Sequence, residues 1–204
     1  MTGESRVETL RVMRSISLFV VPFVFHFAAC GGDDTTGTSS TGGPSATAPV
    51  GAVNMEIYAT PDQTCPIGNA HVDIGNSRVT PPELATDAYE GAVVTCKVVA
   101  TGMGFSASGA IKKGSLDFAF EGVTSSGESA IGTVTVKDPA TGDSYQSPAG
   151  APCVFQFAPG SGQGLEAGKA WMQFDCSSLV SEKDATHSCS SRYGYVLVDR
   201  CTAK

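Results

Sequence analysis

The chain has 204 residues and a formal net charge of −7, and only 16% of its side chains are charged, against roughly 25% in an average globular protein. Removing residues 1–29, which hold three arginines and two glutamates, makes the balance −8. That acidity excludes nucleic acid as a natural partner and excludes electrostatic attraction to anionic lipid.

Arg6, Arg11 and Arg14 precede an apolar run from Ile16 to Ala29. The run is shorter than the ~20 residues a membrane-spanning helix needs, and Pro22 and His26 interrupt it. It reads as an export signal that starts at Met1 or at Met13. It ends Phe27-Ala28-Ala29-Cys30. These four residues resemble the lipobox of bacterial lipoproteins, where a large apolar residue, usually leucine, and two small ones precede the cysteine. The resemblance implies cleavage before Cys30, lipidation of its thiol and acylation of the new amino terminus. Two or more acyl chains anchor a protein stably where one does not. Gly31 stands where many lipoproteins kept at the inner membrane have Asp, so the resemblance implies the outer membrane. The alternative is an ordinary signal peptide cut after Ala29.

Residues 30–52 form the expected tether. From Gly31 to Pro49 no large apolar residue occurs, so nothing there offsets the entropy of ordering. Its r.m.s. reach is about 25 Å.

Residues 53–204 are expected to form a single β domain. Residues 53–59 alternate, with Val53, Met55 and Ile57 on one face, and read as the first strand. A short strand is expected over 70–74. Thr80-Pro81-Pro82-Glu83 fits a capping box with proline at the first helical position and predicts a short helix over 81–87. Then come strands at 92–100, 105–112, 115–121 and 130–137, and a turn over 138–143 in which Gly142 supplies positive φ. Strands at 152–157 and 169–176 flank a Gly-rich loop, and 193–201 closes the chain. About eight short strands without alternating helices predict an all-β antiparallel sandwich or jelly-roll-like barrel. The pattern over residues 92–201 is similar to small bacterial lipoproteins with a Cys-stapled β domain, a likeness that implies no function.

Past Cys30 stand Cys65, Cys96, Cys153, Cys176, Cys189 and Cys201. An even number in an exported chain predicts three disulfides. Hairpin register puts Cys153 opposite residue 174 or so, and hence near Cys176. The remaining pairs are expected as Cys65–Cys96 and Cys189–Cys201.

No catalytic set is legible. His71 and His187 are the only histidines after the leader, and Gly-x-Ser-x-Gly, His-Glu-x-x-His and Walker patterns do not occur. Asp117, Glu121, Glu166 and Asp175 are the acids a glycosidase could use. Asp138 and Asp143 flank a turn whose spacing fits no EF-hand loop. No cofactor or metal is expected. In Lys169–Cys176, Met172, Phe174 and Cys176 share one face and Trp171, Gln173 and Asp175 the other. An aromatic beside an amide and a carboxylate on a sheet suits sugar binding, and Tyr193 and Tyr195 could extend it. A tryptophan packed on a covered face is the competing reading. The expected function is a non-catalytic, lipid-anchored envelope module that meets envelope proteins or glycans. A carbohydrate-binding module built on Trp171 is the alternative.

Overall fold

A computed structural model describes residues 48–79, 82–85, 91–125, 127 and 129–203; the leader, Cys30 and most of the tether lie outside them. Eleven strands follow in order: β1 Val50–Tyr58, β2 Ala70–Ile74, β3 Ala92–Thr101, β4 Gly104–Lys113, β5 Leu116–Ser125, β6 Ser129–Lys137, β7 Ser144–Gln146, β8 Cys153–Gln156, β9 Gly164–Glu166, β10 Lys169–Ser181 and β11 Ser188–Asp199. All ladders between them are antiparallel. Among the described residues there is no helix.

The hydrogen-bonded order is β2-β1-β11-β10-β7-β6-β5-β4-β3. The short strands β7 and β8 lie end to end between β6 and β10. β8 pairs with the first half of β6, and β7 with the second. The far edge, β3, then meets the end of the chain. Lys97 bridges Thr202, Val98 N donates to Thr202 O, and Thr202 N donates to Cys96 O. The sheet therefore curls back on itself as a small barrel. Closure covers part of the β3 edge, which would otherwise invite pairing with another chain.

Alternation explains which face went inside. Val94 and Val98 of β3, Ala107 and Ile111 of β4, Phe118 and Phe120 of β5, Val134 and Val136 of β6, and Met172 and Phe174 of β10 are buried. Phe174 packs between Phe118 and Phe155, with ring centroids 5.7 and 5.6 Å away. Gly109 faces the Phe120 ring, whose atoms lie where a Cβ would need room.

Several expectations change. β1 begins at Val50, three residues before the expected start, and Val50 and Ala52 are buried. β10 runs on to Ser181 and β11 starts at Ser188, well outside the expected bounds of 176 and 193. The added stretches are rich in serine, which hides them from a hydrophobic pattern. Their polar groups bond to the loop after β1: the single Ser190 hydroxyl proton is shared between Ser177 O and Gln63 Oε1, and Gln63 Nε2 donates to Ser177 O. The strands β7 and β9, three residues each, were not expected. The expected helix over 81–87 is not formed where it is described. Glu83 instead bridges Asn76, and Ala85 bridges Gly51.

Three disulfides staple the domain. Cys153–Cys176 joins β8 to β10 as expected, with 4.3 Å between Cα atoms. The other two expected pairs are wrong: the bridges are Cys65–Cys189 and Cys96–Cys201. Pairing cysteines close in sequence ignored the topology. β1 pairs with β11, and Thr64 bridges His187, which sets Cys65 beside Cys189. Barrel closure sets Cys201 beside Cys96.

One buried polar atom stands out. Ser191 is opposite Ile57 and Cys176, both core residues, and its hydroxyl has no hydrogen-bond partner among the described residues. A buried, unmatched hydroxyl costs about 1–3 kcal/mol. Ser191→Ala is therefore expected to raise the chemical-denaturation stability by about 1 kcal/mol.

Candidate functional site

The register of β1, β11 and β10 fixes what their outer face presents. Ala52, Leu197 and Trp171 share one row, and Asn54, Tyr195 and Gln173 the next. The residues after β2 fold over this end of the face. Asn54 Nδ2 donates to Asp73 Oδ1 and Gly75 O, and Asn54 Oδ1 accepts from the amide and hydroxyl of Ser77. Gly75, at φ 64°, lies so close to Glu83 O and Ala52 Cβ that no side chain fits.

Trp171, Gln173 and Asp175 do share the outer face. Trp171 is half-buried, its indole N–H donates to Ser77 O at 3.2 Å, and Gly162 approaches the ring from the other loop. Asp175 Oδ1 accepts from Tyr193 N at 2.8 Å. The indole N–H and one Asp175 oxygen are thus engaged within the domain.

The open part of the face lies at Tyr193, where β11 carries a bulge. Glu56 pairs with Arg192 while Asn54 pairs with Tyr195, so β11 has one residue more than β1. The ladder to β10 slips at the same place. A bulge re-aims side chains. Here Gly194 turns inward against the Phe174 ring, and Arg192 and Tyr193, though consecutive, are both exposed.

Tyr193 takes φ 52°, a left-handed conformation that costs a non-glycine residue roughly 1–2 kcal/mol. Two side chains from different elements pin it: Asp175 accepts from its N–H, and Arg78 Nη2 donates to its carbonyl at 3.1 Å. The guanidinium of Arg192 lies 4.8 Å from the Tyr58 ring centroid and 5.7 Å from that of Tyr193. Arg78 likewise lies over Tyr195. Glu56 Oε2 is 3.9 Å from Arg192 Nε. A cleft of ≈ 370 Å³ lies among Tyr58, Val154, Asp175, Arg192 and Tyr193. Val154 continues across β8 to Ile131 of β6. Ile131, Val154 and Tyr193 are 57%, 41% and 58% exposed, three of the six large exposed hydrophobics among the described residues, with Asp175 between Val154 and Tyr193.

The other candidates are scattered. Asp117 pairs with Lys112 at 2.7 Å, Glu166 pairs with Lys169 at 3.1 Å, and Glu121 is exposed on β5. His187 faces Asp184 at 3.7 Å, and His71 is exposed on β2. No three His, Cys, Asp or Glu groups among the described residues gather as a metal site.

The turn over 138–143 is held by its own carboxylates. Asp138 accepts from the amides of Ala140 and Thr141 and from the Thr141 hydroxyl, and Asp143 accepts from Ser181 Oγ at 2.6 Å. Burial pushes the Asp138 carboxyl up, but the Thr141 hydroxyl, the two amides and the Lys183 ammonium outweigh it and hold it below 3.8. A depressed folded pKa contributes stability that is present above the unfolded value and lost as pH falls through the folded one. Unfolding midpoints measured from about pH 5 down to about pH 2 are expected to fall more steeply for the wild type than for Asp138→Asn.

The chain matches no protein-family model, no curated protein and no solved structure.

Proposed function

We propose that this chain is a non-catalytic binding module of the cell envelope, anchored at the outer membrane by lipid on Cys30, that binds through the outer face around Tyr193. The observation that carries the binding half is Tyr193 itself. An exposed aromatic held at positive φ by two side chains from separate elements is a ring displayed against its own backbone preference, and such strain gathers at functional sites. The residues around it, Tyr58, Tyr195, Arg78 and Arg192, are of the kinds enriched where binding energy concentrates. The anchoring half rests on Phe27-Ala28-Ala29-Cys30 and on the three disulfides, which belong to an oxidising compartment.

Two experiments test it. An alkyne fatty acid fed to cells is expected to label the wild type and not Cys30→Ser; equal labelling would sink the anchor. A photo-crosslinking amino acid at Val154 is expected to give an envelope adduct that the same group at Val93, exposed on β3, does not give. No adduct at Val154 would remove the binding face.

A further inference from the structure

Resting on the binding-module reading, we propose that the cleft among Tyr58, Val154, Asp175, Arg192 and Tyr193 is a carbohydrate site that takes a pyranose unit. This moves the sugar-binding site away from Trp171 to the opposite end of the same face.

The ligand class follows from the composition of the cleft. The rings of exposed Tyr193 and half-buried Tyr58 offer flat apolar surface, yet Arg192 lies against both, Asp175 lines the cleft and Glu56 is beside Arg192. A protein partner is favoured by an interface core depleted in charge, and here both rings have a full charge beside them. An anionic polymer needs unbalanced positive charge. Here Arg192 is matched by Asp175 and Glu56, and Arg78 shares its cleft with Asp73 and Glu83, so no positive charge is left over. A patch without excess positive charge that alternates rings with strong donors and acceptors suits a molecule with an apolar C–H face and a rim of hydroxyls. A pyranose has both. The cleft volume lies at the lower end of the usual range for small-molecule sites, which fits one or two sugar rings.

The bulge gives the site its geometry. In an unbroken strand with Gly194 inward, Arg192 would point into the core. One extra residue brings Arg192 out beside Tyr193, and the two pinning hydrogen bonds hold the Tyr193 backbone before any ligand arrives. Preorganisation of this kind lowers the entropic loss on binding.

The test uses the full chain in a detergent without a sugar headgroup. Maltohexaose, cellohexaose, chitohexaose and soluble muropeptides are the probes, followed by saturation-transfer NMR. At least one probe is expected to bind, with contacts from the sugar C–H protons. Tyr193→Asn removes the ring while keeping a residue that tolerates positive φ, and Tyr58→Ala removes the other ring. Each is expected to weaken binding by about tenfold, the loss of one stacking contact. Val93→Ala, on β3, is expected to leave binding unchanged. No binding by any probe at about 5 mM, or binding as tight in Tyr193→Asn as in the wild type, overturns the site. If sugars fail while the Val154 crosslink persists, the site falls and the module stands. If both fail, both fall.

Discussion

Cys96→Ser/Cys201→Ser is expected to lose about 4–5 kcal/mol of folding stability. The two cysteines are 105 residues apart, and a loop of about that length contributes about 4.8 kcal/mol through the entropy of the unfolded chain. The native state adds to this. The bridge holds the tail residue Thr202 on the β3 edge, where Lys97 and Val98 bond to it, so losing it also opens the barrel. Cys153→Ser/Cys176→Ser closes a separation of only 23 residues and is expected to lose less, about 3.4 kcal/mol. Its two strands remain paired through Val154–Asp175 and Phe155–Phe174. Urea unfolding of both double variants checks the order. A greater loss for the shorter loop would contradict the closure of the barrel by its C-terminal residues.

Gly194→Ala is expected to lose about 3 kcal/mol, the upper end for overpacking a dense core. A Cβ there would stand 2.5 Å from two Phe174 ring carbons and 2.8 Å from a third. Phe174 cannot retreat, because it is fully buried between Phe118 and Phe155. At this domain size the melting temperature should fall by about 6–12 °C. Phe174→Leu in the same chain makes room for the methyl group and is expected to recover part of the loss. If the double variant is no more stable than the sum of the two single changes, the clash is not the cause.

The parts of this fold that could be read from the sequence are those where apolar residues alternate. β4, β5 and β6 carry the pattern, and so does the first half of β10, where Met172, Phe174 and Cys176, expected to share one face, are buried. The serine-rich ends of β10 and β11 carry none. They form strands because the loop after β1 satisfies their polar groups, a tertiary effect that no local pattern records. The cysteine partners depended on which strands neighbour one another, and sequence separation gave the wrong pairs for Cys65 and Cys96. Over the described residues 82–85 the expected helix gives way to backbone bonds from Glu83 to Asn76 and from Ala85 to Gly51, the latter at the edge of β1.

The candidate site was half legible. Asp175 and Tyr193 were on the sequence's short list, and Trp171 drew attention as the only tryptophan. Missed were Tyr58, Arg192 and Arg78. The signal for Arg192 was present: a charged residue two before a glycine, Arg192-Tyr193-Gly194, in a strand whose parity would turn it inward. A glycine inside a strand often marks a bulge, and a bulge resolves the conflict. Arg78 could not be found in this way, because it reaches Tyr193 and Tyr195 only after the residues beyond β2 fold across the sheet.

The most direct test of the claim that Tyr193 is held in a costly conformation for binding is the melting temperature of Tyr193→Asn. Asparagine accepts the left-handed region more readily than tyrosine, and the lost contact with Arg192 is worth only about 0.5–1 kcal/mol at an exposed site. The account predicts a melting temperature equal to or above that of the wild type. A fall equivalent to more than about 2 kcal/mol would show that the ring holds the fold together, and would contradict a residue displayed for a ligand.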